Sequence, residues 1–144
     1  MARSPVLALA AILAFIATAA RAADAALVAA AKKEGEVVWY TTQILDPLVL
    51  RLQESFRRAY GVEIKPVRAN STEIALRIRN EGLAGRMQAD VYDGTITAEA
   101  LKKENLALKW LPDNARDLPA DYVDPEGYWV ATNYYINTAA FNTD

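Results

Sequence analysis

The chain opens on an uncharged apolar run, VLALAAILAFIATAA at Val6–Ala20, whose only polar residue is Thr18. After it the hydrophobic period alternates between that of helices and that of strands. Ala23–Lys33 is alanine-rich and leads into Gly35, the pattern of a short helix stopped by glycine. Glu36–Tyr40 (EVVWY) is β-branched and aromatic and predicts a strand covered on both faces. Asp46-Pro47 predicts a helix start, with Asp as the cap and Pro at the first helical position. Leu48, Val49, Leu52, Phe56 and Ala59 then keep helical spacing to Tyr60, with Glu54 and Arg58 as an i,i+4 pair and Gly61 as the stop. Val62, Ile64 and Val67 predict a second strand, with Pro66 marking its end or an irregularity. Asn70-Ser71-Thr72-Glu73 fits a capping box; its helix carries Ile74, Ala75, Ile78 and a Glu73–Arg77 pair, and Gly82 and Gly85 close it. Ala89–Asp93 predicts a short third strand broken by Gly94-Thr95, and a helix over Thr97–Glu104 follows with Glu99 and Lys103 paired. Leu111–Gly127 is rich in Pro and Asp and predicts a surface crossing with little regular structure, before a last extended segment at Tyr128–Thr138. Alternating helices and strands imply an α/β fold, a mostly parallel sheet flanked by helices with right-handed crossovers.

The apolar start changes the picture from fold to destination. Arg3 precedes the run, and Ala20-Arg21-Ala22 supplies a small-x-small cleavage site. The run is 15 residues long, short of the roughly 20 a spanning helix needs. Residues 1–22 are therefore expected to be a signal peptide removed on export, leaving residues 23–144 as a soluble, periplasmic body. That body loses two arginines and no acid, so its formal charge moves from −2 to −4, which excludes the basic footprint of a nucleic-acid partner. The chain has no cysteine and no histidine. No disulfide or thiol-linked lipid anchor is expected, and Cys/His metal and catalytic chemistry is removed.

In open α/β sheets ligands bind outside the carboxyl ends of the strands. The loops expected there are Thr41-Thr42-Gln43, Asn70-Ser71-Thr72 and Gly94-Thr95, each built of hydroxyls, amides or glycine and each leading into a helix start. Free backbone N–H groups at helix starts attract anions, so the ligand-binding candidates are Thr41, Thr42, Ser71, Thr72, Gly94 and Thr95. The same residue types also serve as ordinary helix caps, and the pattern alone leaves both uses open. Tyr40, Tyr92, Tyr134, Tyr135, Asp46 and Asp93 are oxygen donors for a hard cation such as Fe(III), but strand aromatics mostly pack in sheets, and Tyr134 and Tyr135 on a regular strand point to opposite faces. No metal site is expected. Trp39, Trp110 and Trp129 read as core or rim residues. The nucleophile-elbow, P-loop and dinucleotide-binding glycine patterns are all missing. Asp93 at a strand end is the one candidate for a secreted α/β enzyme, and no cofactor is implied.

Three segments, LVAAAKKEGEVVWY at Leu27–Tyr40, AGRMQADVYD at Ala84–Asp93 and DPEGYWVATNYYINTAAFNTD at Asp124–Asp144, resemble bacterial ABC-transporter substrate-binding proteins, in particular the extracellular solute-binding group that includes iron(III)-type receptors. The resemblance covers the mature chain. It implies a type II periplasmic binding-protein fold, in which two lobes close over a solute and present it to a membrane permease, and it implies a monomeric receptor rather than an enzyme. Carried over, the first-lobe ligand loops fall on Thr41-Thr42, Ser71-Thr72 and Gly94-Thr95. Iron-binding members use acidic, His or Tyr ligands; here the first loop reads Thr-Thr-Gln and no His exists. That departure favours an organic or oxyanion solute, such as a phosphonate, carboxylate or polyamine, with Fe(III) as the alternative. Members are also longer, so residues 23–144 are expected to be an N-terminal lobe truncated near the crossover, without the second lobe, and to bind solute weakly or not at all alone; a nonfunctional remnant is the alternative outcome.

Overall fold

A computed structural model of the chain describes residues 25–94, 96–134 and 138–139, without the side chains of residues 113 and 116. The expected signal peptide, Thr95, Tyr135 and most of the end of the expected last extended segment lie outside the described residues.

The chain divides into two compact units, one running to Asn70 and including Gln88–Tyr92, the other formed by Ser71–Met87 and the chain from Asp93 on. In the first unit, helix α1 (25–34) ends at Gly35, whose N–H donates to the Ala31 carbonyl at 2.9 Å and whose φ of 89° suits glycine. Strand β1 (Glu36–Thr41) is central, between β2 (Glu63–Arg68) and β3 (Val91–Tyr92), and both pairings are parallel. The register sets Trp39 beside Pro66 and Val91, and Tyr40 beside Val67 and Tyr92.

Cover on both faces of β1 is reached only at its carboxyl end. Tyr40 and Thr41 point to opposite faces and are both buried, whereas Val37, Val38 and Trp39 are half-exposed. Pro66 does not end β2, which continues to Arg68. On an edge strand, a proline whose missing N–H would face outward costs the ladder nothing.

The segment Leu45–Val49 is a wide turn in which the Leu50 N–H bonds the Leu45 carbonyl, and it runs into helix α2 (Leu50–Tyr60). The expected Asp46 cap is not formed. Asp46 has the extended backbone (φ −117°, ψ 128°) that a cap and a residue before proline both adopt, but the regular helix begins only at Leu50, too far on for its side chain to cap. Of the expected helical stripe only Val49 is buried; Leu48 and Leu52 are exposed. Helix α2 is fastened to β2 by Gln53, whose Nε2 donates to the Ile64 carbonyl at 2.8 Å, and Gly61 terminates it with φ 70°.

The second unit holds helices α3 (Ser71–Leu83) and α4 (Thr97–Lys103), which pack together. Ile74, Ile78 and Leu101 are its buried aliphatic residues. Helix α3 starts directly after Asn70, where a capping residue belongs. Gly85 ends the helical path at φ 64°, but Gly82 lies inside α3 for a different reason: a Cβ there would stand 2.6 Å from Leu106 Cδ2. The Leu111–Gly127 stretch is more ordered than a surface crossing. It forms 3-10 turns at Asp113–Asp117 and Ala120–Tyr122, and it buries Ala115 and Asp124. Val123 and Val130 then make an antiparallel bridge.

Candidate functional site

The loop after β1 belongs to the first unit. Thr41 is buried, and its Oγ1 accepts the N–H of Gln43 at 3.0 Å, a short hydroxyl turn that curls the chain as it leaves the sheet. The Thr41 carbonyl accepts the Ala69 N–H at 3.1 Å, so the carboxyl ends of β1 and β2 adjoin. Arg68 reaches across from β2, its Nε donating to the Gln43 carbonyl at 3.1 Å. Thr41 is therefore spent on holding the loop, while Thr42 and Gln43 stay half-exposed at its tip.

The second unit brings Ser71 and Gly94 together. A Cβ on Gly94 would lie 3.1 Å from Ser71 Oγ and 2.4 Å from Thr97 Oγ1. Thr97 is fully buried, and its Oγ1 donates to the Ser71 carbonyl at 3.2 Å. Ser71 and Gly94 are half-exposed and Thr72 is exposed; Thr95 lies outside the described residues. Ser71 heads the 13-residue helix α3, whose first-turn N–H groups lack helical acceptors.

Two residues of these clusters were not singled out by pattern. Arg68 reads as the polar end of a strand, and Thr97 as the first residue of an ordinary helix. The dense spacing Gly94-Thr95-Ile96-Thr97 is the one signal that marks the latter.

Other chemistry lies elsewhere in the second unit. Lys102 Nζ sits 2.8 Å from Asp124 Oδ1 and 2.8 Å from Glu126 Oε1, and Asp124 Oδ2 accepts the Tyr128 N–H at 2.9 Å. Asp124 is only 3% exposed. Burial pushes its carboxyl up, but the hydrogen bonds from Lys102 and from the Tyr128 N–H outweigh this and hold it below the usual carboxylate range. The bonds to Asp124 and Glu126 in turn push the Lys102 ammonium above its ordinary range. Arg79 grips Glu104 through two nitrogens, Nε to Oε2 at 2.7 Å and Nη2 to Oε1, and Trp129 Nε1 donates to Glu99 at 2.8 Å.

The oxygen donors considered for a cation are dispersed in use. Tyr40 is buried in the sheet, burial pushes the Tyr92 hydroxyl up, and Tyr134 lies against Tyr122 with ring centroids 6.1 Å apart. Among the described residues no three His, Cys, Asp or Glu side chains group as metal ligands. Two open hollows also avoid the loops. One of about 350 Å³ is lined by Gln53, Arg57 and the amino end of β2, the edge of the sheet opposite Thr41. The other, about 380 Å³, lies between Arg79, Gly82, Leu83, Glu104 and Leu106.

No protein-family model matches the chain, and no curated protein matches it. Solved structures do. The chain is similar to the Trichodesmium protein IdiA, also called FutA, in complex with iron and citrate, at 20% identity and a TM-score of 0.54 over 67% of this chain and 30% of that one. It is likewise similar to iron-bound HitA from Pseudomonas aeruginosa, at 18% identity and a TM-score of 0.58 over 66% of this chain and 31% of that one. The fold is that of part of a periplasmic binding-protein lobe. This agrees with the parallel α/β sheet expected from the residue pattern. The chain spans about a third of the length of both proteins.

Proposed function

We propose that this chain is exported, loses residues 1–22, and supplies one wall of the solute cleft of a receptor that serves a membrane permease of an ABC importer. The solute is small and polar or anionic. The residues proposed to serve it are Thr42, Ser71, Thr72, Gly94 and Thr95, with Thr41 shaping the first loop rather than touching solute. The observation that carries this reading is the seating of Gly94 on the hydroxyls of Ser71 and Thr97, in a fold shared with two proteins that hold iron, one of them with citrate. The missing side chain lets the Gly94 backbone come close to the Ser71 hydroxyl, and the first turn of α3 adds N–H donors.

Donors of this kind suit the oxygens of an anion better than they suit a bare cation. A citrate-like polycarboxylate, free or carrying Fe(III), fits both the donors and the neighbours' ligands. The test is thermal melting of residues 23–144 with citrate, ferric citrate, ferric chloride and inorganic phosphate in turn. At about ten times Kd a ligand that binds only the folded state adds ~1.4 kcal/mol, a rise of several degrees for a domain of this size. Citrate or ferric citrate is expected to raise the melting temperature, and Ser71→Ala and Thr42→Ala to suppress the rise. Because one wall alone binds weakly, each ligand is raised to its solubility limit, and a melting temperature indifferent to all four there would sink the receptor reading for this chain.

A further inference from the structure

Thr97 lies outside the loops that residue pattern selected, yet like Thr41 it is a fully buried, hydrogen-bonded threonine. It is fully buried and is the first residue of α4, where the preceding Ile96 offers no side-chain cap. Its hydroxyl does not cap its own helix. It crosses to α3 and donates to the carbonyl of Ser71, the first residue of that helix. The same carbonyl is the regular helical acceptor for the Ala75 N–H, so Thr97 adds a second donor to it. Above this contact Gly94 leaves no room for a side chain. A Cβ would meet Thr97 Oγ1 at 2.4 Å and Thr97 Cβ at 3.2 Å. Turning the threonine to bring its Cβ hydrogen to that place would relieve the hydroxyl clash only by breaking the bond to Ser71, and Thr97 Cβ would still stand at 3.2 Å.

We propose that Thr97 is the positioning residue of the Ser71–Gly94 cluster, tying the start of α3 to α4 so that the Ser71 hydroxyl is held against the Gly94 backbone. This rests on the receptor reading for its purpose, but the tie itself is testable without any solute. Two readouts separate the two. The first is amide hydrogen exchange in the folded 23–144 chain. Thr97→Val removes the donor at nearly constant shape, and about fivefold faster exchange is expected at the Ala75–Arg77 amides, in keeping with the net worth of one hydrogen bond. The amides from Ile78 to Leu83 should stay unchanged. Thr97→Ser keeps the hydroxyl and should keep wild-type exchange throughout. The second readout is the melting shift with citrate and ferric citrate, expected to survive Thr97→Ser and to fall at least fivefold in apparent affinity in Thr97→Val.

Unchanged exchange at Ala75–Arg77 in Thr97→Val overturns the tie, and so does equal loss in both variants, which would assign the effect to packing at position 97 in general and not to the hydroxyl. If Thr97→Val does not fold, the Thr97→Ser result decides: wild-type exchange upholds the hydroxyl tie and accelerated exchange overturns it. Local exchange changes with no melting shift in the wild-type protein would uphold the tie and overturn the receptor reading instead.

Discussion

Two glycines with crowded surroundings carry opposite expectations. At Gly82 the intruding atom would be the Cδ2 end of Leu106, a flexible group on a half-exposed side chain. Alanine gains about 1 kcal/mol of helix propensity there, and the crowding it causes is relieved by moving that one group. Gly82→Ala is expected to leave the urea midpoint nearly unchanged. At Gly94 the nearest intruded atom is the hydroxyl of buried Thr97, which can yield only by giving up its bond to Ser71, so Gly94→Ala should cost about 1–3 kcal/mol, the usual penalty of overpacking, seen as a lower midpoint at constant slope. Asp124 gives a pH test. Its folded pKa lies below the ordinary carboxylate value, so its contribution is fully present above about pH 4 and is lost as pH falls through the depressed value. Melting temperature measured from pH 7 down to pH 2 should therefore drop less steeply in Asp124→Asn, which should already melt lower at pH 7 because Lys102 loses a charged partner. Equal acid slopes for the two proteins would contradict the assignment. Pattern reading placed Asp124 on a surface crossing, since a Pro- and Asp-rich stretch has no period from which burial can be read. Only the approach of Lys102 and the folded-back Tyr128 N–H buries it.

At the scale of elements, the helices that close on glycine were legible. Gly35, Gly61 and Gly85 each end a helix with positive φ, because a residue without Cβ occupies that conformation at little cost. The helix start at Asp46-Pro47 was not: Asp46 has the extended backbone of a cap, yet the regular helix begins four residues later at Leu50, and local cap chemistry does not fix where the first regular turn closes. The stripe on α2 had the right period, but only Val49 is buried, so period reported amphipathicity without reporting how much of the stripe is covered. Helix α3 is the better anchored element. Ile74 and Ile78 are each about 1% exposed, and Ile78→Ala is expected to cost about 2–5 kcal/mol in chemical unfolding. Truncating exposed Leu48 to Ala should change stability by less than about 0.5 kcal/mol. A large loss at Leu48 would mean that α2 is covered in solution.

For the whole molecule, export and fold class rest on different kinds of information. Intact-mass measurement on protein from a periplasmic extract is expected to show a chain beginning at Ala23; retention of residues 1–22 would contradict a cleavable signal. The order of helices and strands follows from local chemistry alone, because hydrophobic period, caps and glycine stops act over a few residues. So does the parallel class of the sheet, since strands joined through helices run parallel. The candidate loops were also visible, as hydroxyls and glycine at strand ends. What the tertiary structure decided is which of those groups are occupied with one another. Thr41 is consumed by Gln43, Ser71 is reached by Gly94, and Thr97 is drawn from an unremarkable helix into the cluster. These contacts join residues up to 26 positions apart, and no local pattern encodes them. They arise only when packed elements bring hydroxyls, carbonyls and a missing side chain to the same place.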